Sequence, residues 1–387
     1  MGGFYFECPR CHNKDPRKIG FLNGKPYCRN CILLRGETVE YKENPNASFS
    51  YSLKYNLSPE QSVISKEIIE SYKSGKNSLI KAVCGSGKTE IVLELISYVL
   101  STGGRVGFAI PRREVTIEIC ERLSNIFSNN KVISVYGGNT SILEGDIICL
   151  TTHQLFRYEH YFDLLILDEI DAFPFANNNL LNEMFYRSIK GYYVMMSATP
   201  SESTIKFFKN NNDNIFELNT RFHRHPLPVP KTIIRKNIIL LYIELIKQIR
   251  RLLKLGKQVF VFTPTIAKSE SVAKLLSLIF IKVKCINSKS ENKKELIDNF
   301  RHHKIDVFVC TAILERGVTF KDLQVIIFES DHRIYSSSTL VQISGRVGRK
   351  KDAPDGEVIY IARTFTKDME QSIHDIKSAN KDLQGLF

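Results

Sequence analysis

The run Cys84-Gly-Ser-Gly-Lys-Thr89 joins an apolar stretch, 78–83, to an amphipathic one, 89–100. A strand, a glycine turn and a helix in that order make a phosphate cradle. Gly85 and Gly87, on either side of Ser86, let backbone N–H groups turn towards a phosphate, and the helix N-terminus adds partial positive charge at the same place. Lys88 is expected to bridge the β- and γ-phosphates of ATP, and Thr89 to hold Mg²⁺. The general pattern opens with glycine, where this chain has Ala82. Further on, Leu164-Leu-Ile-Leu167 reads as a buried strand ending in Asp168-Glu169-Ile170-Asp171. Acids at the carboxyl end of such a strand lie where α/β sheets bind ligands. Asp168 is expected to hold Mg²⁺ through water, and Glu169 to orient and deprotonate an attacking water.

A second chemistry is written in cysteine. Of nine cysteines, Cys8, Cys11, Cys28 and Cys31 form two C-x₂-C pairs near the N-terminus. Sixteen residues between the pairs fall in the range of a structural zinc site, and four thiolates suit a closed tetrahedron. A redox role would need a thioredoxin-like βαβ scaffold, which residues 1–36 lack. A segment this short has little core, so the metal is expected to supply its folding energy. Residues 1–36 carry seven Lys+Arg against two Asp+Glu. With Tyr5, Phe21 and Tyr27 these could make a nucleic-acid surface, or the module could be a structural or protein-docking knob. Cys84, Cys149 and Cys310 end apolar runs and read as buried thiols.

A third cluster is Gln342-Ile-Ser-Gly-Arg-Val-Gly-Arg349. Arg346 and Arg349 lie three apart, so on a helix both would point from one face. Arginines supplied across a cleft neutralise charge in phosphoryl transfer and tie closure to the γ-phosphate.

These groups need a scaffold. Buried strands are expected at 78–83, 105–110, 131–135, 146–150, 164–167 and 192–196, with amphipathic helices such as 89–100 and 113–127 between them. The alternation predicts a doubly wound parallel α/β sheet. His223-Arg-His-Pro-Leu-Pro-Val-Pro230 breaks it and reads as an extended connector. A second series follows, with strands at 258–262, 282–286, 306–310, 325–328 and 357–361 and a closing helix around 367–380. The expected organisation is a zinc module (1–36), a polar linker (37–57), a first lobe (58–222) and a second lobe (223–387).

Charge is uneven along the chain. Residues 1–200 hold 22 Lys+Arg against 21 Asp+Glu, and residues 201–387 hold 32 against 20, so +12 of the net +13 lies in the second half. That bias suits a polyanionic partner or simply a solvated surface. No signal-peptide pattern opens the chain, and the most apolar later segment, 238–249, is interrupted by Glu244 and Lys247. A cytoplasmic protein is expected.

The order and spacing of these motifs resemble helicase superfamily 2. Pro111-Arg-Arg113 and Thr151-Thr-His-Gln154 resemble its loops that grip a nucleic-acid backbone. Ser197-Ala-Thr199, Phe262-Thr-Pro-Thr265, Thr311-Ala-Ile-Leu-Glu-Arg-Gly-Val-Thr319 and the Gln342–Arg349 run resemble its later motifs. The resemblance implies two RecA-like lobes closing on ATP, with Gln342 beside the nucleotide. Gln61, 27 residues before Lys88, would read adenine, unless it only serves a helix capped by Ser58. The four-cysteine start, together with Asp168-Glu-Ile-Asp-Ala-Phe-Pro-Phe175, is similar to the ComFA family of late-competence DNA-uptake ATPases. The replication-restart PriA motor is related and shares the look of the 221–230 connector. Membership would imply ATP-driven movement on single-stranded DNA at the inner face of the membrane, with a channel protein and other competence proteins as partners. A strand-separating replication or repair helicase, and a non-motor DNA-binding adaptor with a nucleotide switch, are the alternatives.

Overall fold

The computed structural model describes residues 6–32, 34, 36–43, 56–83, 85–176, 178–218, 225–287, 290, 292–311, 320–349 and 352–384. Cys84, Tyr5, much of the expected linker, the start of the connector and the run 312–319 lie outside the described residues. The chain divides into two compact units. Residues 1–81 and 88–218 form the first, and the chain beyond Leu218 forms the bulk of the second.

The first unit opens with a hairpin, β1 (Ile19–Leu22) and β2 (Lys25–Cys28), paired antiparallel. Its two-residue turn is Asn23-Gly24, both at positive φ, which suits the right-handed twist of the strands. A seven-stranded sheet follows: β3 (Ser78–Ala82), β4 (Val106–Ile110), β5 (Val132–Val135), β6 (Ile147–Thr151), β7 (Phe162–Asp168), β8 (Ile189–Ser197) and β9 (Asn214–Leu218). The spatial order is β5-β6-β4-β7-β8-β3-β9. The pairs β5·β6, β6·β4, β4·β7, β7·β8 and β8·β3 are all parallel. Ile110 therefore lies opposite Thr151, Asp168 opposite Met196 and Lys81 opposite Ser197. Parallel pairing puts the carboxyl ends of all these strands on one edge, the edge where ligands bind in open α/β sheets.

The expected strands are present, with ends shifted by at most two residues except in β8, which starts three residues earlier. Their burial explains why they were readable. Strands covered on both faces are continuous apolar runs, and β4 and β6 are buried at every position. The first-lobe core includes Leu79, Ala109, Ile148, Leu165 and Met195, and it continues without a break into Cys8, Cys11, Cys28, Cys31 and Leu34 of the module. The segment expected to be linker is docked over 37–43. Val39 donates its N–H to the Arg157 carbonyl (2.8 Å), and Arg157 donates to the Glu37 carbonyl (2.8 Å). Lys190 sits 3.6 Å over the Tyr41 ring, whose hydroxyl donates to Asp163 (3.2 Å).

The second unit is a six-stranded sheet of β10 (Lys231–Ile234), β11 (Gln258–Thr263), β12 (Val283–Ile286), β13 (Val307–Thr311), β14 (Leu323–Phe328) and β15 (Val358–Ala362). Its order is β10-β15-β14-β11-β13-β12, with every pair parallel. Helices Ile238–Lys254 and Ile266–Ser277 cover one face through Leu241, Leu245, Ile249, Val272 and Leu276. Phe300, Leu340, Ile343 and Met369 cover the other. Both units are doubly wound, as the alternating pattern predicts. No helix among the described residues is long and apolar enough to cross a membrane.

Candidate active site and zinc site

β3 feeds the glycine turn. Gly85 (φ +84°) and Gly87 (φ +78°) adopt the left-handed backbone that side chains resist, and the Ser86 N–H donates to the Val83 carbonyl (3.2 Å). A short helix, Lys88–Ile91, begins immediately, with Thr89 buried at its start. The helical pattern expected over 89–100 is thus divided, the longer piece being Leu93–Ser101. The Lys88 Nζ lies 3.4 Å from Asp168 Oδ1 at the end of β7. Burial pushes the Asp168 carboxyl above the ordinary carboxylate range, Lys88 pulls it back, and Glu169 pushes it up again.

Glu169 turns out of β7 at φ +55°, unusual for a residue with a side chain, and its N–H donates to Asp168 Oδ1 (2.8 Å). Its carboxylate faces Arg112 Nε at 3.8 Å. Asp171 ties this loop to the end of β8. Ser197 Oγ donates to one of its oxygens (2.8 Å) and Thr199 Oγ1 to the other (3.0 Å), while the Thr199 N–H donates to Ser197 Oγ (2.9 Å). Groups from four separate stretches of sequence, around 88, 112, 168–171 and 197–199, therefore meet at one sheet edge.

Gln61 is buried in helix Pro59–Lys73 and completes a capping box. Its Oε1 accepts from the Ser58 N–H (2.8 Å) and its own N–H donates to Ser58 Oγ (3.2 Å). In the second unit the expected arginine helix is shorter than the motif. Helix Ser337–Ser344 carries Gln342 but ends at Gly345, and Gly348 takes φ +67°. Arg346 and Arg349 therefore leave from a turn, not from one helical face. Arg346 is buried with its guanidinium 5.9 Å from the centre of the Phe262 ring, and Arg349 Nε donates to the Gly345 carbonyl (3.0 Å). Thr265 caps helix Ile266–Ser277 by accepting from the Lys268 N–H (3.2 Å).

The four cysteines converge. Their sulfurs lie within 4.8 Å of one another and all four residues are buried. Cys8–Cys31 and Cys11–Cys28 are separated by 3.8 and 3.6 Å. A zinc–sulfur bond of about 2.3 Å in a regular tetrahedron sets sulfurs about 3.8 Å apart, so this donor set fits Zn²⁺. The β1–β2 hairpin presents Cys28, the turn Arg29–Cys31 presents Cys31, and a loop closed by Cys8 N–H to Asn13 O (3.1 Å) presents the first pair.

Arg157 is the positioning residue the sequence did not reveal. It is buried, accepts Val39 on its backbone, donates to Glu37, and its Nε donates to Gln154 Oε1 (2.7 Å). Nothing in Thr151-Thr-His-Gln-Leu-Phe-Arg157 marks it as such. Glu169 facing Arg112 was likewise invisible, because 57 residues separate them.

Two parallel-sheet lobes, with a lysine-bearing phosphate turn after β3 and an acid-ended strand, β7, one strand away in the same sheet, define an ATPase of the helicase superfamily. In agreement, residues 62–208 match the DEAD/DEAH box helicase family and residues 243–351 match the helicase conserved C-terminal domain. The chain is 31% identical to the competence protein ComFA of Streptococcus pneumoniae, covering 97% of this chain and 90% of that protein. It is also 31% identical to ComFA of Bacillus subtilis, covering 97% and 86%. In fold it is similar to Saccharomyces cerevisiae Dbp5 bound to RNA and ADP BeF3, with a TM-score of 0.59 at 16% identity over 84% of this chain and 92% of that one. The chain belongs to the ComFA family.

Proposed function

We propose that this protein is an ATP-driven translocase on single-stranded DNA, serving the uptake of DNA during competence. The observation that carries the reading is the similarity to competence proteins along 97% of the chain. The motor chemistry is read from the strand-end cluster. Lys88 and the N–H groups around Gly85, Ser86 and Gly87 bind the phosphates of ATP. Thr89 and Asp168 offer the hard oxygen donors that Mg²⁺ prefers, and that ion would neutralise phosphate charge. Glu169 orients the attacking water and accepts its proton. Asp171 passes any movement of this loop to Ser197 and Thr199. Arg346 and Arg349 stabilise charge on the transferring phosphoryl group, and Gln342 sits beside the nucleotide. Gln61 presents its amide to adenine while its oxygen stays in the helix cap.

Zn²⁺ held by Cys8, Cys11, Cys28 and Cys31 would staple the module. The basic second half would track a phosphate backbone without reading sequence. The protein would work in the cytoplasm, peripherally at the inner face of the membrane, beside a channel protein and other competence proteins. The test sets two assays side by side. Movement along a single strand should be ATP-dependent, while displacement of a strand longer than about one helical turn, roughly 10 base pairs, should be poor. Efficient displacement by the isolated protein would favour a replication or repair helicase.

A further inference from the structure

The Asp168–Asp171 loop continues into a turn whose side chains alternate in an unusual way. Phe175 is buried in the first-lobe core, yet Phe173, two residues earlier, is 82% exposed. The turn is held from behind, with the Ala172 N–H donating to the Glu169 carbonyl (2.8 Å) and the Phe175 N–H to the Ala172 carbonyl (3.0 Å). An aromatic ring on a pinned backbone, left in water, is a platform in search of a flat ligand. Beside it lies an open cavity of about 440 Å³, within the range of small-ligand sites. One wall comes from the first lobe through Phe173, Pro174, Asn178 and Asn179, and the other from the zinc module through Lys18 and Asn30. Asn178 is committed to capping the next helix, its Oδ1 accepting from the Leu181 N–H (3.2 Å). Lys18 is an exposed cation on the turn that leads into β1.

A ring for stacking, a cation and side-chain amides around one nucleotide-sized space are the ingredients of a single-strand subsite. We propose that the zinc module and the Phe173-Pro174 turn together form a nucleotide-binding subsite for single-stranded nucleic acid. One base stacks on Phe173, the adjoining phosphate pairs with Lys18, and Asn30 and Asn179 line the base edge. The subsite rests on the reading of the protein as a single-strand binder, and it gives the module a role beyond its own fold.

The test is equilibrium binding of a fluorescent oligothymidylate to the full-length zinc-loaded protein across a salt series. Phe173→Ala should weaken binding about 5- to 100-fold, the range that one base–aromatic stack supplies, without altering the salt slope. Phe173→Tyr, which keeps the ring, should bind like the wild type. Lys18→Gln should flatten the slope by about 0.7, one phosphate contact on a single strand. Both side chains are exposed, so the variants should fold. Unchanged affinity in Phe173→Ala, or an unchanged slope in Lys18→Gln, overturns the subsite while leaving the function intact. A wild-type protein that fails to bind the oligonucleotide overturns both.

Discussion

At the scale of residues, groups that touch are expected to do different work. Lys88 lies 3.4 Å from Asp168, and in its proposed role its charge holds the phosphates of ATP. Lys88→Ala should therefore lose nucleotide affinity and turnover together. Glu169→Gln keeps the shape and removes only the proposed base. It should bind ATP normally and lose turnover by about 10²-fold or more. Arg349→Ala should spare affinity and slow hydrolysis, roughly 10³-fold or more for an arginine acting on the transferring phosphoryl group. Pre-steady-state binding of a fluorescent ATP analogue beside phosphate release separates the three patterns. Near-normal turnover in Glu169→Gln would remove that residue from the mechanism.

At the scale of elements, parts of the fold that are buried on both faces were legible and the marginal parts were not. The inner strands, such as β4 and β11, read as continuous apolar runs because water touches neither side. β9 and β10 lie at sheet edges, are only four or five residues long and are half-exposed, so no apolar run betrays them. The β1–β2 hairpin had a local signal in Asn23-Gly24 that outweighs its few apolar residues. The expected helix through Arg346 and Arg349 fails because Gly345 and Gly348 end it, a stop the same sequence contained. The acids at 168–171 were legible as a motif. Their partner at 112 was not, since only the parallel packing of β4 beside β7 brings the two together. One element-level contact is directly testable. Glu357, just before β15, accepts two hydrogen bonds from Arg251 (2.9 and 3.0 Å) and one from Lys231 (2.8 Å), tying the sheet to helix Ile238–Lys254. Arg251, with Lys231, holds its carboxyl down at about 2, against an ordinary 4.5. A carboxylate depressed in the folded state stabilises above the unfolded value and loses that stabilisation as pH falls through the folded one. The stability gap between wild type and Glu357→Gln should thus be full above about pH 4.5 and close towards about pH 2. A gap independent of pH, in thermal unfolding followed across that window, would show that the carboxylate charge is not what the contact uses.

At the scale of the whole molecule, the zinc module behaves as part of the first lobe, its cysteines in one core with Leu79 and Leu165 and its exit strapped by Arg157. Its folding is predicted to depend on a metal held by the four cysteines, because the hairpin has four-residue strands and little apolar surface. Metal analysis should return one zinc per chain. Cys28→Ser should open residues before the first long helix to proteolysis while the two sheets stay folded; absence of zinc from protein purified without chelator would reject the site. The central claim is that a superfamily ATPase is here coupled to a single strand through two doubly wound lobes, of which the second is strongly basic. Phosphate release, measured with no nucleic acid, with single-stranded DNA and with blunt duplex, tests it most directly. Strong stimulation by the single strand, weak stimulation by the duplex, and loss of both in Glu169→Gln are expected. Equal rates with and without single-stranded DNA would contradict it.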